Sequence, residues 1–164
     1  MSDHAINSAY PHPIAIAWRR VKLQTSDAER LRFAESCQDV LMRTLVAYLL
    51  PDYLCGPKSD AVEDLMAKLA RPSQGHYVAL IREIIRALRD RDEPAFFAEA
   101  PDWYFNQRGK PSSAAKALDA LVTLRNAEHH GRSTGEFGIG DRVREWTQHL
   151  GAVLGSLKWL AGYR

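Results

Sequence analysis

Six consecutive residues, Arg125-Asn126-Ala127-Glu128-His129-His130, gather a guanidinium, a carboxamide, a carboxylate and two imidazoles directly before Gly131. A guanidinium grips a phosphate with two parallel hydrogen bonds and stabilises the extra charge on a pentacoordinate phosphorus. An imidazole takes and gives protons near neutral pH. Together they supply what metal-free RNA cleavage requires. One group holds the phosphorane, and the other activates the ribose 2′-OH or protonates the departing 5′-oxygen.

The stretch closes a helical pattern that starts at Ser112 or Ser113 and carries Leu118, Leu121, Val122 and Leu124 on its apolar side. Arg125 and His130 are five positions apart, roughly 140° around an ideal helix axis, so they share no face while the helix continues. Gly131 is expected to end it in a left-handed conformation, which lets the imidazole swing away from its helical position. Arg125 then stays on a rigid turn while His130 sits at a solvent-reachable end. The negative end of the helix dipole favours an imidazolium at His130, and Glu128 adds to this if it faces the ring.

The run Leu124-Arg125-Asn126-Ala127-Glu128-His129-His130-Gly131 resembles the R-N-x-x-x-H motif of the HEPN superfamily, down to the apolar residue before the arginine and the glycine after the histidine. That resemblance implies an all-α bundle with the motif near the end of a later helix. It implies metal-independent endoribonuclease activity without a cofactor, often in toxins or anti-phage defence effectors, at a composite site where two motifs meet across a homodimer. Arg125 would bind phosphate, His130 would act as acid and base, and Asn126 would orient them. His129 and Glu128 occupy variable positions of the motif and receive no role from the resemblance, while His129 and Arg132 are expected, apart from it, as weaker substrate-contact candidates. Members paired with a nucleotidyltransferase antitoxin often carry H-x-Y. Here Gly131 and Arg132 follow His130, so a modification switch on that tyrosine is not expected.

Three other readings stand beside this one. Arg125 and His130 can be a surface ion pair and a polar helix cap. The domain can be a non-catalytic HEPN-like interaction or sensor module of a larger defence protein. The adjacent histidines can suggest zinc, but no H-E-x-x-H, C-x-x-C or spaced carboxylate set accompanies them, so no metal site is expected. The glycine-rich GEFGIGD follows a helix rather than a strand and lacks a P-loop lysine, so it reads as a connection.

The rest of the chain must position that turn. Nearly all periodicity has helical spacing, and no strand signal is evident. Helices are expected from Pro13 through Leu23, from the capping signature Ser26-Asp27-Ala28-Glu29 to Pro51, from Ser59 to Pro72, and from Gln74 to Arg91. A short helix over Pro94–Ala100 should precede a loop whose Trp103, Tyr104 and Phe105 must pack on something. The last helix should open at Asp141. The fold class is therefore all-α, an antiparallel helical bundle of four main helices plus one or two short ones, in a single domain over 1–164. The chain can be a complete protein or part of a longer one.

Bulk properties set the outer bounds. The 164 residues carry a formal net charge of only +2, so contact with RNA must come from a local patch. Arg82, Arg86 and Arg89 form one stripe that reads first as a solvated face and second as a weaker candidate for RNA backbone contact. The longest apolar run, Leu45 to Leu50, is far too short to span a membrane. The N-terminal MSDHAINSAYPHP lacks the basic start and apolar core of a signal peptide, so a cytoplasmic protein is expected. Cys37 and Cys55 are then reduced thiols packed as small hydrophobes. The expected partners are an RNA substrate, a second copy of the chain, and an antitoxin or defence-system protein.

Overall fold

The computed structural model describes residues 3–92, 94–129 and 138–161, with the side chains of residues 3–5 and 129 excepted. The protein is an all-α helical bundle. Its helices are α1 (Asp3–Ala9), α2 (His12–Leu23), α3 (Asp27–Leu54), α4 (Asp60–Met66), α5 (Gln74–Arg89), α6 (Ala100–Tyr104), α7 (Ser113–His129) and α8 (Ile139–Ser156). Short 3-10 turns follow α4 at Ala67–Ala70 and α8 at Lys158–Leu160. Among the described residues the extended structure is an isolated bridge from Phe105 to Pro111. None of the described helices is long and apolar enough to cross a membrane.

The chain forms two compact units, residues 1–41 with 113–164 and residues 42–112, so α3 contributes to both. The first unit is built on α2, the start of α3, α7 and α8. Each buries residues spaced three, four or seven apart: Ile14 and Val21, Ala34 and Leu41, Leu118 and Leu121, Trp146 and Leu150. Two polar links cross this core. Trp146 donates its indole N–H to Gln38 Oε1 at 2.8 Å, and the Tyr10 hydroxyl donates to the Leu154 carbonyl at 2.6 Å. Both satisfy groups that would be costly to bury unpaired.

The second unit packs the end of α3 with α4, α5 and α6. Residues Val78, Ile81, Ile85 and Leu88 supply the inner face of α5. Ser73 starts that helix through a capping box: its hydroxyl accepts from the His76 N–H, and His76 Nδ1 accepts from the Ser73 N–H. His76, which looks isolated in the sequence, is thus a structural cap.

Several boundaries differ from sequence expectation for identifiable reasons. A further helix, α1, precedes the expected first one. Pro51 does not stop α3. The proline removes one amide donor, but Asp52 and Tyr53 on the next turn are buried and tied into the unit, which holds the helix to Leu54. The helix expected over Pro94–Ala100 is displaced to Ala100–Tyr104. Pro101 fits a first helical turn, where its missing N–H costs nothing, better than an interior. That shift buries Trp103, Tyr104 and Phe105. The last helix opens with Gly138 as its N-cap, and Asp141 lies in its first turn, paired with Arg144.

The cysteines part company. Cys37 is buried, and burial pushes its thiol up to about 12. Cys55 is exposed, contrary to the expectation of a packed hydrophobe, because it follows the final turn of α3. At pH 8 a thiol of pKa near 12 is ionised in about one molecule in ten thousand, so it barely reacts. Titration of the folded protein with a disulfide reagent should therefore release one equivalent quickly, from Cys55. The second should appear only in denaturant. Two fast equivalents would contradict the packing around Cys37.

Candidate functional site

Helix α7 begins in the core and ends outside it. Ala114, Ala115, Ala117, Leu118 and Leu121 are buried, and from Val122 onward every residue with a described side chain is half-buried or exposed. Val122 and Leu124, expected on the apolar side, are only half-buried. The last two turns are therefore only partly covered, with Thr123 and Asn126 exposed and the other described side chains half-buried.

Arg125 is half-buried and Asn126 exposed. Among the described residues neither side chain has a hydrogen-bond or ion-pair partner, so the guanidinium remains available for an external anion. His129 is the last residue of α7. His130 and Arg132 lie outside the described residues, as do the glycine-rich connection around them and the expected helix-ending Gly131.

Glu128 is engaged elsewhere. Both its carboxylate oxygens accept from Arg142 Nη1, at 2.6 and 2.7 Å, and both side chains are about a quarter exposed. Its charge is compensated by Arg142, and the expectation that it faces the His130 ring falls outside the described residues. The ion pair has another consequence. Residues 128 and 142 flank the connection 130–137, and their bond joins the last turn of α7 to the first turn of α8. Partly exposed pairs of this kind contribute up to about 1 kcal/mol. Arg142→Met should lower the thermal midpoint by about 2–4 °C, checked by calorimetry. An unchanged midpoint would mean that the pair does not fasten the helix ends.

The arginine stripe on α5 does not form an open cationic track. Arg82 Nε donates to the Tyr104 hydroxyl, Arg86 pairs with Glu83 at 2.7 Å, and Arg89 pairs with Asp90 at 2.8 Å while lying over the Phe105 ring. Arg82 and Arg89 thus touch the α6 region, while the Arg86–Glu83 and Arg89–Asp90 pairs are local and exposed and contribute little.

One polar centre of the second unit has no sequence signature. Asp52 and Arg91, 39 positions apart, form an ion pair with side chains 4% and 10% exposed, and Asp52 Oδ2 also accepts from the Phe97 N–H at 3.0 Å. Asp52 follows a proline that looks like a helix stop, and Arg91 looks like the end of a solvated stripe. Only the tertiary fold brings them together. Comparison with protein families, with curated proteins and with solved structures returned no match.

Proposed function

We propose that the protein is a metal-independent endoribonuclease of HEPN type, working in the cytoplasm as a homodimer and serving as a toxin or anti-phage defence effector under the control of an antitoxin or defence partner. The observation that carries this reading is Arg125. It sits half-buried on the last turns of α7 with no partner among the described residues, five positions before His130 in an R-N-x-x-x-H run. The all-α architecture is the one that motif requires.

Arg125 grips the non-bridging oxygens of a phosphodiester while His130 removes the proton from the neighbouring 2′-OH. The 2′-oxygen attacks phosphorus, the P–O5′ bond breaks, and the leaving oxygen takes a proton from an imidazolium, supplied by His130 of a second copy. The products are a 2′,3′-cyclic phosphate and a 5′-hydroxyl, and no metal enters the step. Asn126 orients the pair, and His129 and Arg132 contact the strand beside it.

Purified protein incubated with structured RNA in EDTA should generate fragments, and His130→Ala should not. If both proteins are inert across RNA types and activation conditions, or if chelation alone stops cleavage, this reading is lost. A non-catalytic module would instead keep its biological effect when Arg125 and His130 are both replaced by alanine.

A further inference from the structure

The first unit contains a groove of about 510 Å³ where the last turn of α2 and the first turns of α3 and α8 meet. Lys22, Arg30 and Arg144 line it against a single carboxylate, Asp27. No local stretch of sequence signals this cluster, because each cation comes from a different helix. In a chain whose formal net charge is only +2, it is a local concentration of positive charge of the kind that contact with RNA requires.

The one carboxylate is already engaged. Asp27 Oδ1 accepts from Arg30 Nη1 at 3.2 Å, and Oδ2 lies so near the first turn of α8 that a Cβ on Gly140 would meet it at 3.1 Å. Arg30 is held in place as well, since its Nη2 donates to the Gln24 carbonyl at 2.6 Å and its side chain is only a third exposed. The other two cations face solvent. Lys22 is exposed on the last turn of α2, its ammonium 5.5 Å from the Trp18 ring. Arg144 is 76% exposed and pairs with Asp141 one turn earlier at 2.8 Å. An exposed pair of this kind adds little stability, so a phosphate that takes the place of Asp141 costs the fold almost nothing. With Asp141 included, three cations face two carboxylates, and the groove keeps a positive surplus.

The groove lies at the same end of this unit as Arg125. Arg142, two residues before Arg144, binds Glu128 on the last turn of α7. Positions two apart on a helix point to nearly opposite sides, so the groove lies across α8 from that helix end, about one helix diameter of 10–12 Å away. We propose that the groove binds the phosphate backbone of the RNA strand, a few nucleotides from the bond gripped by Arg125. Arg144 meets the non-bridging oxygens with its planar N–H groups, Lys22 adds an ammonium, and Arg30 contributes a fixed positive charge. The inference takes its ligand from the ribonuclease reading, but it is measured by binding alone, so either can fail without the other.

The probe is a fluorescent single-stranded 2′-O-methyl oligoribonucleotide, which has no 2′-hydroxyl to attack and so reports binding by the whole protein without cleavage. Lys22→Ala combined with Arg144→Ala should weaken its binding about tenfold, equally for strands of different sequence. The slope of log Kd against log salt should fall by about 1.4, the value for two lost contacts to a single strand. Both side chains are exposed, so the thermal midpoint should hold. Lys116→Ala, which removes an exposed cation from the start of α7, should change neither quantity. A loss confined to the groove variant supports the site even if ordinary RNA is never cut. Cleavage of ordinary RNA together with unchanged binding by the groove variant would remove the groove and keep the ribonuclease reading. An equal loss with Lys116→Ala, or displacement of the probe by inorganic phosphate or polyglutamate as effectively as by unlabelled strand at the same ionic strength, would also overturn it.

Discussion

Replacing Arg125 by alanine should reduce RNA cleavage by about 10²–10³-fold, the usual effect of removing one group that stabilises charge in a transition state. The loss should fall mainly on kcat, since the guanidinium matters most when the phosphorane carries its extra charge. Arg125→Lys should recover only part of the rate, because an ammonium supplies charge without the two-pronged geometry. Folding should be unaffected. The side chain has no partner among the described residues and is only half-buried, so its loss should cost no more than about 0.5 kcal/mol. Cleavage at the wild-type rate by a well-folded Arg125→Ala protein would remove the arginine from the chemistry. A drop in activity matched by a drop in thermal midpoint would make it structural.

The second large effect concerns stability. Asp52→Ala leaves the Arg91 guanidinium buried without its counter-charge and takes away the acceptor for the Phe97 N–H. Breaking a buried pair from one side costs about 3–5 kcal/mol. In a chain of this size that corresponds to a fall in thermal midpoint of about 6–20 °C. The double replacement Asp52→Leu with Arg91→Met should be much less damaging than the sum of the single changes, because it removes the stranded charge together with its partner. Calorimetry of the four proteins closes the cycle. Additive losses would show that the two side chains do not stabilise each other.

These two sites also differ in how far the sequence reveals them. The arginine–histidine run is local: its members lie within six consecutive residues, so residue types and spacing are enough to single them out, although His130 itself lies outside the described residues. The faces of α5 and α8 are readable for the same reason, since Val78, Ile81 and Ile85, and Trp146, Leu150 and Val153, repeat with helical period and are all buried. What escaped depends on long-range packing. Pro51 ends a helix on local grounds, yet Asp52 and Tyr53 are anchored by Arg91 and Glu63 and carry α3 through it. Glu128 looks like a neighbour of His130, yet Arg142 claims it from α8. Burial of Trp103, Tyr104 and Phe105 was foreseeable from their apolar surface, but not the short helix around Pro101 that achieves it.

The ends of the RNA products test the central claim most directly. With EDTA present, wild-type protein should leave 2′,3′-cyclic phosphate and 5′-hydroxyl termini, resolved by mass spectrometry and by kinase labelling of the 5′ ends. Arg125→Ala and His130→Ala, folded to the same thermal midpoint, should leave the RNA intact. Products bearing 5′-phosphates, or the same fragments from all three proteins, would contradict the claim that this arginine and this histidine act on one phosphodiester.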